Sequence, residues 1–464
     1  MKIILGAGLA GLSAGYALAN EDRRVVIVEK NPAVGGLAET IHYRGFRFDL
    51  GGHRFITKDR CIEALVKDLL DHEFLDVARK SSIRLLNKYF DYPLKPVNAL
   101  FGVGFSTTLR IIRDYLKERV RDTVSPRDAV SLEEWVVKRF GRKMFDLYFR
   151  QYSEKVWGID CRSISQEWVA QRIEGLSLWE AVKNAFFKFS GRNIDTLADR
   201  FIYPQMGIGE ISERLRDYIV FRENPVLTGT RVLKIRHEDF MVRDVTVQSG
   251  EDVDEIEGSD FISTIPLTAL LQVLDPLPPD EVLDAASHLH FRDLVIVTLL
   301  LDRERVTDLT WLYLPEKHIP VGRVHEPKNW SPRMAPEGKT SIVAEYFCFR
   351  GDRIWNSGDE ELTGVTLRHL TNLGLVQMCD LIDSSVVRVA KAYPLLDVEY
   401  RRHYEKVLGY LNEFRNLRIA GRGGTFQYLN MDHAMRSGIN AAEKILHISP
   451  HEKETGISLQ GCKI

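Results

Sequence analysis

The chain has 464 residues, 44% hydrophobic and 28% charged, and 63 Lys and Arg against 65 Asp and Glu leave a formal net charge of −2. That length exceeds what one hydrophobic core organises, so two or three domains are expected. The balanced charge excludes a molecule that attracts polyanions as a whole, and an anion site has to be made from individually placed arginines. No nucleic-acid partner is therefore expected.

No apolar run reaches the roughly 20 residues that a membrane span needs. The first strand begins at Lys2, which leaves no room for a signal or transit peptide. The cysteines Cys61, Cys161, Cys348, Cys379 and Cys462 are scattered without a CxxC pair. Unpaired thiols in a reducing, cytoplasmic setting are expected. His288 and His290 lie two apart with no further ligand spacing, so no metal site is expected.

Lys2–Leu5 reads as a short buried strand, followed by Gly6-Ala-Gly8-Leu9-Ala10-Gly11, a small-residue helix to Asn20, and a second strand from Arg24 to Val28 that ends on Glu29. Gly6 permits the turn off the strand, and Gly8 lets a pyrophosphate touch backbone. Gly11 lets the helix lie close on the sheet with its positive end toward the phosphates. Glu29 and Lys30 follow the strand where a carboxylate accepts the ribose hydroxyls of an adenosine. A strand before the motif, a helix after it and the acid beyond it together specify a dinucleotide fold.

Gly35-Gly36, six and seven residues past Glu29, extend the phosphate cradle, and Leu37 and then Gly51-Gly52-His53 follow. With the first motif they resemble the two-part FAD signature of the glutathione-reductase-like flavoproteins, which include amine oxidases, protoporphyrinogen oxidase and UDP-galactopyranose mutase. The alternative is a nicotinamide domain followed by an ordinary loop, which has no need of the second glycine pair.

After His53 the pattern reads as helical for about 150 residues. Ile62, Leu65, Val66, Leu69 and Leu70 mark one apolar stripe, and Leu109, Ile112, Leu116 and Val120 another. Ser131-Leu-Glu-Glu134 is a capping box opening a helix through Trp135, Val136 and Phe140. Within this block Tyr92-Pro93 forces an extended segment. A helix from Gly209 to about Val220 and strands at Thr230–Ile235, Asp244–Gln248 and Asp260–Ile265 return to the nucleotide domain, where Val232 is expected to meet the cofactor. Long β-rich stretches at Leu294–Leu301, Trp311–Leu314 and Ser341–Phe347, with a helix near Glu360–Leu373, suggest an antiparallel substrate platform. Asn416–Arg422 is a strand entering a glycine turn, and Asp432–Leu446 a closing helix.

The expected class is thus α/β: a glutathione-reductase-like FAD-binding Rossmann domain with an inserted helical domain and an antiparallel β substrate domain. The parts are 1–57, 201–265 and 385–447 for the FAD domain, 58–200 for the helices, 266–384 for the sheet and 448–464 for a tail.

Outside the FAD motifs, aromatics and arginines stand out. Tyr152-Ser-Glu-Lys155-Val-Trp157-Gly158 resembles the YTEKQWG-type segment of UDP-galactopyranose mutases, and Trp168-Val-Ala-Gln-Arg172 resembles a helix of the same family. Trp311–Glu316, Arg323 and Asn329-Trp-Ser-Pro332 are similar to its eukaryotic branch. Arg422-Gly-Gly-Thr-Phe-Gln-Tyr428-Leu-Asn-Met431-Asp432 resembles the closing motif of the bacterial one. The matches run from Gly6 to Asp432.

The resemblance implies that Arg172 and Arg323 clamp the diphosphate of a UDP-sugar, guanidinium forks being suited to phosphate. It implies that Tyr152 stacks on uracil, Trp157 borders the sugar and Tyr428 donates to phosphate. His53 would sit against the flavin, and Gly421, Arg422, Met431 and Asp432 would hold it. The implied catalytic set is His53, Arg172, Arg323 and Tyr428. The implied reaction is pyranose–furanose interconversion of a UDP-sugar, through a covalent adduct at N5 of reduced FAD, with an external reductant for the flavin.

Three departures qualify the match. Ser341–Glu345 lacks the arginine of the bacterial branch, Leu37-Ala38 follows the second glycine pair, and Leu429 and Asn430 replace a tyrosine and an aspartate. The competing reading is an FAD-dependent oxidase of the protoporphyrinogen-oxidase or amine-oxidase type, whose pocket should be largely apolar. A third is a binding module like the Rab GDP-dissociation inhibitors, against which the complete glycine cradle argues.

Overall fold

The structure is a computed structural model in which residues 1–92, 104–124, 128–168 and 200–446 are described. Its framework is a five-stranded parallel sheet in the order Leu417–Ile419, Asp260–Ser263, Lys2–Leu5, Val25–Val28, Val226–Leu227. All four residues of Val25–Val28 are buried, as an unbroken apolar run requires in a parallel strand covered on both faces. A second, four-stranded sheet has the order Asp252–Glu257, Met241–Ser249, Thr230–Glu238 and Leu274–Asp275, the first three antiparallel and the last parallel to its neighbour.

The third layer is a seven-stranded, mainly antiparallel sheet. Its order is Leu381–Pro394, Phe291–Leu301, Thr340–Cys348, Arg323–His325, Trp311–Tyr313, Ser81–Leu85, Lys88–Tyr92. Phe291–Leu301 is buried along its whole length. The fold is therefore mixed α/β. No helix among the described residues is long and apolar enough to cross a membrane.

The helix Leu9–Asn20 packs between the parallel sheet and the helix Met431–Ile445 at backbone contact distance. A Cβ on Gly11 would lie 1.9 Å from Gly6 O, and one on Gly438 would lie 1.9 Å from Ala10 O. Neither position holds a side chain without moving the helix. The helix Arg60–Leu69, capped by Asp59, follows its expected stripe, with Ile62, Val66 and Leu70 fully buried. The capping box forms as read: Ser131 Oγ accepts from Glu134 N at 3.3 Å, and Glu134 Oε2 accepts from Ser131 N at 3.3 Å.

Three expectations fail. The segment after Leu70 is not continuously helical: Phe74–Ala78, Ser81–Leu85 and Lys88–Tyr92 are strands. Leu86 and Asn87 both take positive φ, 53° and 57°, which closes the last two into a tight hairpin of the kind that matches strand twist. That hairpin extends the seven-stranded sheet instead of belonging to a helical insert. Second, the helix Phe105–Val124 buries Thr108, Ile111 and Tyr115, while Leu109, Leu116 and Val120 are exposed and Ile112 is only partly covered. Ile111 and Tyr115 join the cluster of Trp135, Phe140 and Phe145, and that packing selects a face which periodicity alone did not. Third, the boundary expected between 384 and 385 cuts a continuous strand, since Leu381–Pro394 pairs along Phe291–Leu301.

The two kinds of glycine separate in a stability measurement. Gly438→Ala is expected to destabilise by about 2–3 kcal/mol in urea unfolding, because its methyl meets backbone. Gly409→Ala lies in the helix Tyr400–Asn412 with open space around it, and is expected to stabilise by about 0.5–1 kcal/mol.

Candidate active site

The first half of the site is the nucleotide cradle. Gly8 caps the helix Leu9–Asn20 without a side-chain partner, so no capping side chain occupies the amides of the first turn, the kind of helix end that suits an anion. A Cβ on Gly8 would meet nothing nearer than Gly35 O at 3.9 Å, which leaves room for a phosphate against the backbone. Gly35 N donates to Ala7 O at 2.8 Å, and Gly35 and Gly36 take φ of 109° and 58°. Glu29 is buried at the end of its strand and accepts from Ala7 N at 2.8 Å and Asn31 N at 2.9 Å. A carboxylate has further lone pairs, so these bonds orient it while capacity for ribose hydroxyls remains.

Thr230 N donates to Glu29 O at 2.8 Å, which brings the strand carrying Val232 alongside. Leu37 packs with Phe48 and Leu294, and Lys30 is exposed. Gly421 approaches Ala10, and its N donates to Ser437 Oγ at 3.1 Å. Met431 opens the closing helix, and Asp432 is buried with Oδ1 lacking a hydrogen-bond partner among the described residues. A dinucleotide flavin fits this set: an uncapped helix end for its diphosphate, an oriented acid for its ribose, and a second helix N-terminus with an unsatisfied carboxylate for its ring.

The second half gathers around Glu345, a fully buried carboxylate in the strand Thr340–Cys348. It lies 2.6 Å from Arg323 Nη2, accepts from Gly52 N at 3.2 Å, and stands 3.7 Å from His325 Nδ1. Burial opposes its ionisation, but the Arg323 charge and the neighbouring donors prevail and hold it down at about 2. Burial likewise opposes the Arg323 charge, and Glu345 keeps it firmly protonated. Arg323, expected as a diphosphate clamp, is thus paired with a buried carboxylate, a partner the sequence reading did not include. It retains Nη2 donating to Tyr393 Oη at 3.2 Å and a buried Nε with no partner among the described residues.

His53 lies on the Gly52 side of this pair. Burial, then the Arg422 and Arg323 charges, push its imidazole down to about 4, against the opposing pull of Glu345. Its Nδ1 faces Gly51 O at 3.2 Å. A carbonyl only accepts, so Nδ1 carries the proton and Nε2 is left with a lone pair.

Aromatic rings form the walls. Tyr393 and Tyr428 stack with centroids 5.6 Å apart and planes at 9°, and Trp157 meets both edgewise at 6.4 and 6.3 Å. Trp157 is buried and its Nε1 has no partner among the described residues. Arg422 lies 4.8 Å from the Tyr428 centroid and donates through Nε to Leu429 O at 2.8 Å, tying the closing motif together. Tyr152 meets Tyr313 at 5.7 Å, and Tyr313 meets Tyr92 at 4.7 Å. Burial pushes the Tyr152 and Tyr393 hydroxyls up, so both remain neutral.

The structure thus brings His53, Arg323, Tyr152, Trp157, Arg422 and Tyr428 into one region, while Arg172 lies outside the described residues. The Trp311 and Asn329–Pro332 segments make contacts within the protein. Trp311 covers Gly52, whose absent side chain leaves space for the indole, and Asn329 Nδ2 donates to Thr307 O and Leu309 O at 2.8 and 3.0 Å. Sequence reasoning missed Glu345, Tyr393 and the role of Lys155. A charge inside the apolar run Ile342–Phe347 was the available signal for Glu345; Tyr393 had none. Lys155 Nζ lies within hydrogen-bond distance of the carbonyls of Leu314, Glu316, Ile319 and Val321, among which its three N–H groups are shared, and so holds the loop leading to Arg323. Burial pushes its ammonium down to about 7, against the opposing Glu316 charge.

Residues 9–446 match the family described as flavin containing amine oxidoreductase. The chain belongs to that family. It is 22% identical over 417 residues to coproporphyrinogen III oxidase of Bacillus subtilis, covering 80% of this chain and 81% of that protein. Its fold matches the crystal structure of reduced UDP-galactopyranose mutase with a TM-score of 0.85, at 21% identity and covering 98% and 97% of the two chains. It also matches a putative protoporphyrinogen oxidase from Exiguobacterium with a TM-score of 0.72, at 16% identity and covering 97% and 99%. This flavin family member therefore shares its architecture with a mutase and with oxidases.

Glu345→Gln leaves the Arg323 guanidinium without its counter-charge and is expected to cost about 3–5 kcal/mol of unfolding free energy at pH 7. The Glu345 carboxyl is depressed in the folded state, to about 2 from an ordinary 4.5. Its contribution is thus complete above about pH 4.5 and is lost as pH falls toward 2. Urea titrations of the two proteins should converge over that interval; a gap that stays constant would remove Glu345 as the linked group.

Proposed function

We propose that this chain is an FAD-dependent mutase of the UDP-galactopyranose mutase type, interconverting the pyranose and furanose rings of a nucleoside-diphosphate sugar. One observation carries the reading: Arg323 Nε and Trp157 Nε1 are buried donors without an acceptor among the described residues, joined through Tyr393 in a tyrosine-walled region. Buried donors left unmatched are costly, and an acceptor-rich ligand relieves that cost. Two guanidinium groups against one carboxylate leave a net positive charge there, suited to a diphosphate and unsuited to an amine.

FAD, when bound and reduced, supplies the nucleophile toward the anomeric carbon. The protein's part is positioning and charge. Arg323 takes a phosphate oxygen through Nε while Glu345 fixes its plane. Tyr152 presents a ring for the uracil, and Tyr428 and Trp157 border the sugar. His53 offers a neutral acceptor at Nε2. The departing diphosphate gains charge as its bond to the sugar breaks, and a pre-placed guanidinium stabilises that change without reorganisation.

The relationship to a coproporphyrinogen III oxidase and the neutralisation of Arg323 by Glu345 favour the second reading, an FAD-dependent oxidase. One experiment divides them. The purified protein, reduced with dithionite and given UDP-galactopyranose, is expected to form the furanose isomer only in its reduced state. Absence of isomer with peroxide release from a non-sugar substrate sinks the mutase reading. In calorimetric titration with UDP, Arg323→Lys keeps the charge opposite Glu345 but lacks the fork, and is expected to weaken binding by about 1.5–3 kcal/mol. Unchanged affinity would remove Arg323 from the ligand site.

A further inference from the structure

The 20-residue helix Phe105–Val124 has an unusual division of charge. At 100° per residue, Leu109, Leu116, Val120 and Val124 fall on one outward arc, and these four are between 52% and 79% exposed. Arg110, Arg113, Lys117, Arg119 and Arg121 lie within or beside that arc, all five exposed. The acidic residues Asp114, Glu118 and Asp122 fall on the opposite half and are partly buried there, with Asp122 holding Lys138 at 2.8 Å. The inward face proper is Thr108, Ile111 and Tyr115. Among the described residues the solvent face thus carries four large apolar side chains and five cations, of which Arg113 and Arg121 pair at its margin with Asp114 at 3.5 Å and Glu118 at 3.9 Å, leaving the positive charges in excess.

We propose that this face is a docking surface for an anionic lipid bilayer, on which the helix lies in the plane of the headgroups. Apolar side chains that enter the acyl boundary, beside cations that meet lipid phosphates, are the two contributions that hold an interfacial helix. The other occupants fit less well. A second copy of the chain on a two-fold axis would bring two sets of five cations together. The helix is also only about 30 Å long, so one face of it falls well short of the roughly 800 Å² per partner that a stable dimer buries. A nucleic acid would use the cations and leave the four apolar side chains in water. This surface is separate from the flavin and sugar-nucleotide residues and does not depend on the proposed activity.

The test is co-flotation of the full-length, flavin-loaded protein with vesicles of phosphatidylcholine alone, or of phosphatidylcholine with about 30% phosphatidylglycerol, a composition that supplies the anionic surface. Binding to the anionic vesicles, little to the neutral ones, and loss in about 0.5 M salt are expected. Lys117→Glu with Arg121→Glu should lower the partition coefficient at least tenfold, on the order of one lipid–cation contact per residue. Leu116→Ser with Val120→Ser should lower it while leaving the salt dependence in place. All four positions are exposed, so flavin content and melting temperature should match the parent and exclude misfolding. Absence of binding, equal binding to neutral vesicles, or indifference to both double variants would overturn the proposal. Concentration-dependent self-association abolished by Leu116→Asp, without vesicle binding, would assign the face to a second copy instead.

Discussion

A carboxylate with no access to solvent, in the middle of a strand, holds the two halves of this protein in register. Glu345 reaches from the seven-stranded sheet to Gly52 N on the loop of the nucleotide half, and to Arg323 and His325 on the neighbouring strand. Taking an isolated carboxylate out of water costs several kcal/mol, so its position persists only because a guanidinium and an amide are delivered to it. The same pair sets the charge of the site. Arg323 contributes direction and an Nε without a partner among the described residues, while desolvation and the Arg422 and Arg323 charges keep His53 neutral.

The cradle rests on a different constraint, close approach of backbone to backbone. Gly11 against Gly6 and Gly438 against Ala10 let one helix sit between a sheet and a second helix with no side chains interposed. That contact brings together two helices whose N-termini, at Gly8 and Asn430, have no side-chain cap. Lys155 plays a comparable part in the other half. A single ammonium gathers four carbonyls of the loop before Arg323, tying the helix of Tyr152 and Trp157 to the strand of Arg323.

Much of the cradle was legible in the chain because its physics is local. Gly6, Gly8 and Gly11 sit at fixed offsets between a strand and a helix, Glu29 ends the next strand, and Ser131 with Glu134 forms a cap from residues three apart. The aromatic and arginine motifs were legible for a different reason, a likeness in residue order, and the structure altered what they mean. Arg323 was read as a clamp on a diphosphate, and a carboxylate from 22 residues further on pairs with it. The motif residues Asn329 and Trp330 donate to the carbonyls of Thr307, Leu309 and Thr310.

What the order of residues determined by itself is the nucleotide half: a turn needing glycine, a helix needing close contact and an acid ending a strand are each decided within about thirty positions. The tertiary structure alone decided which face of Phe105–Val124 is buried, whether Ser81–Tyr92 joins a helical insert or a sheet, and how Glu345, Tyr393 and Tyr428 come together. Those outcomes rest on burial and charge pairing between segments up to hundreds of residues apart. The free energy of such pairs depends on which partners arrive and how much water they exclude, and no periodicity along the chain carries that information.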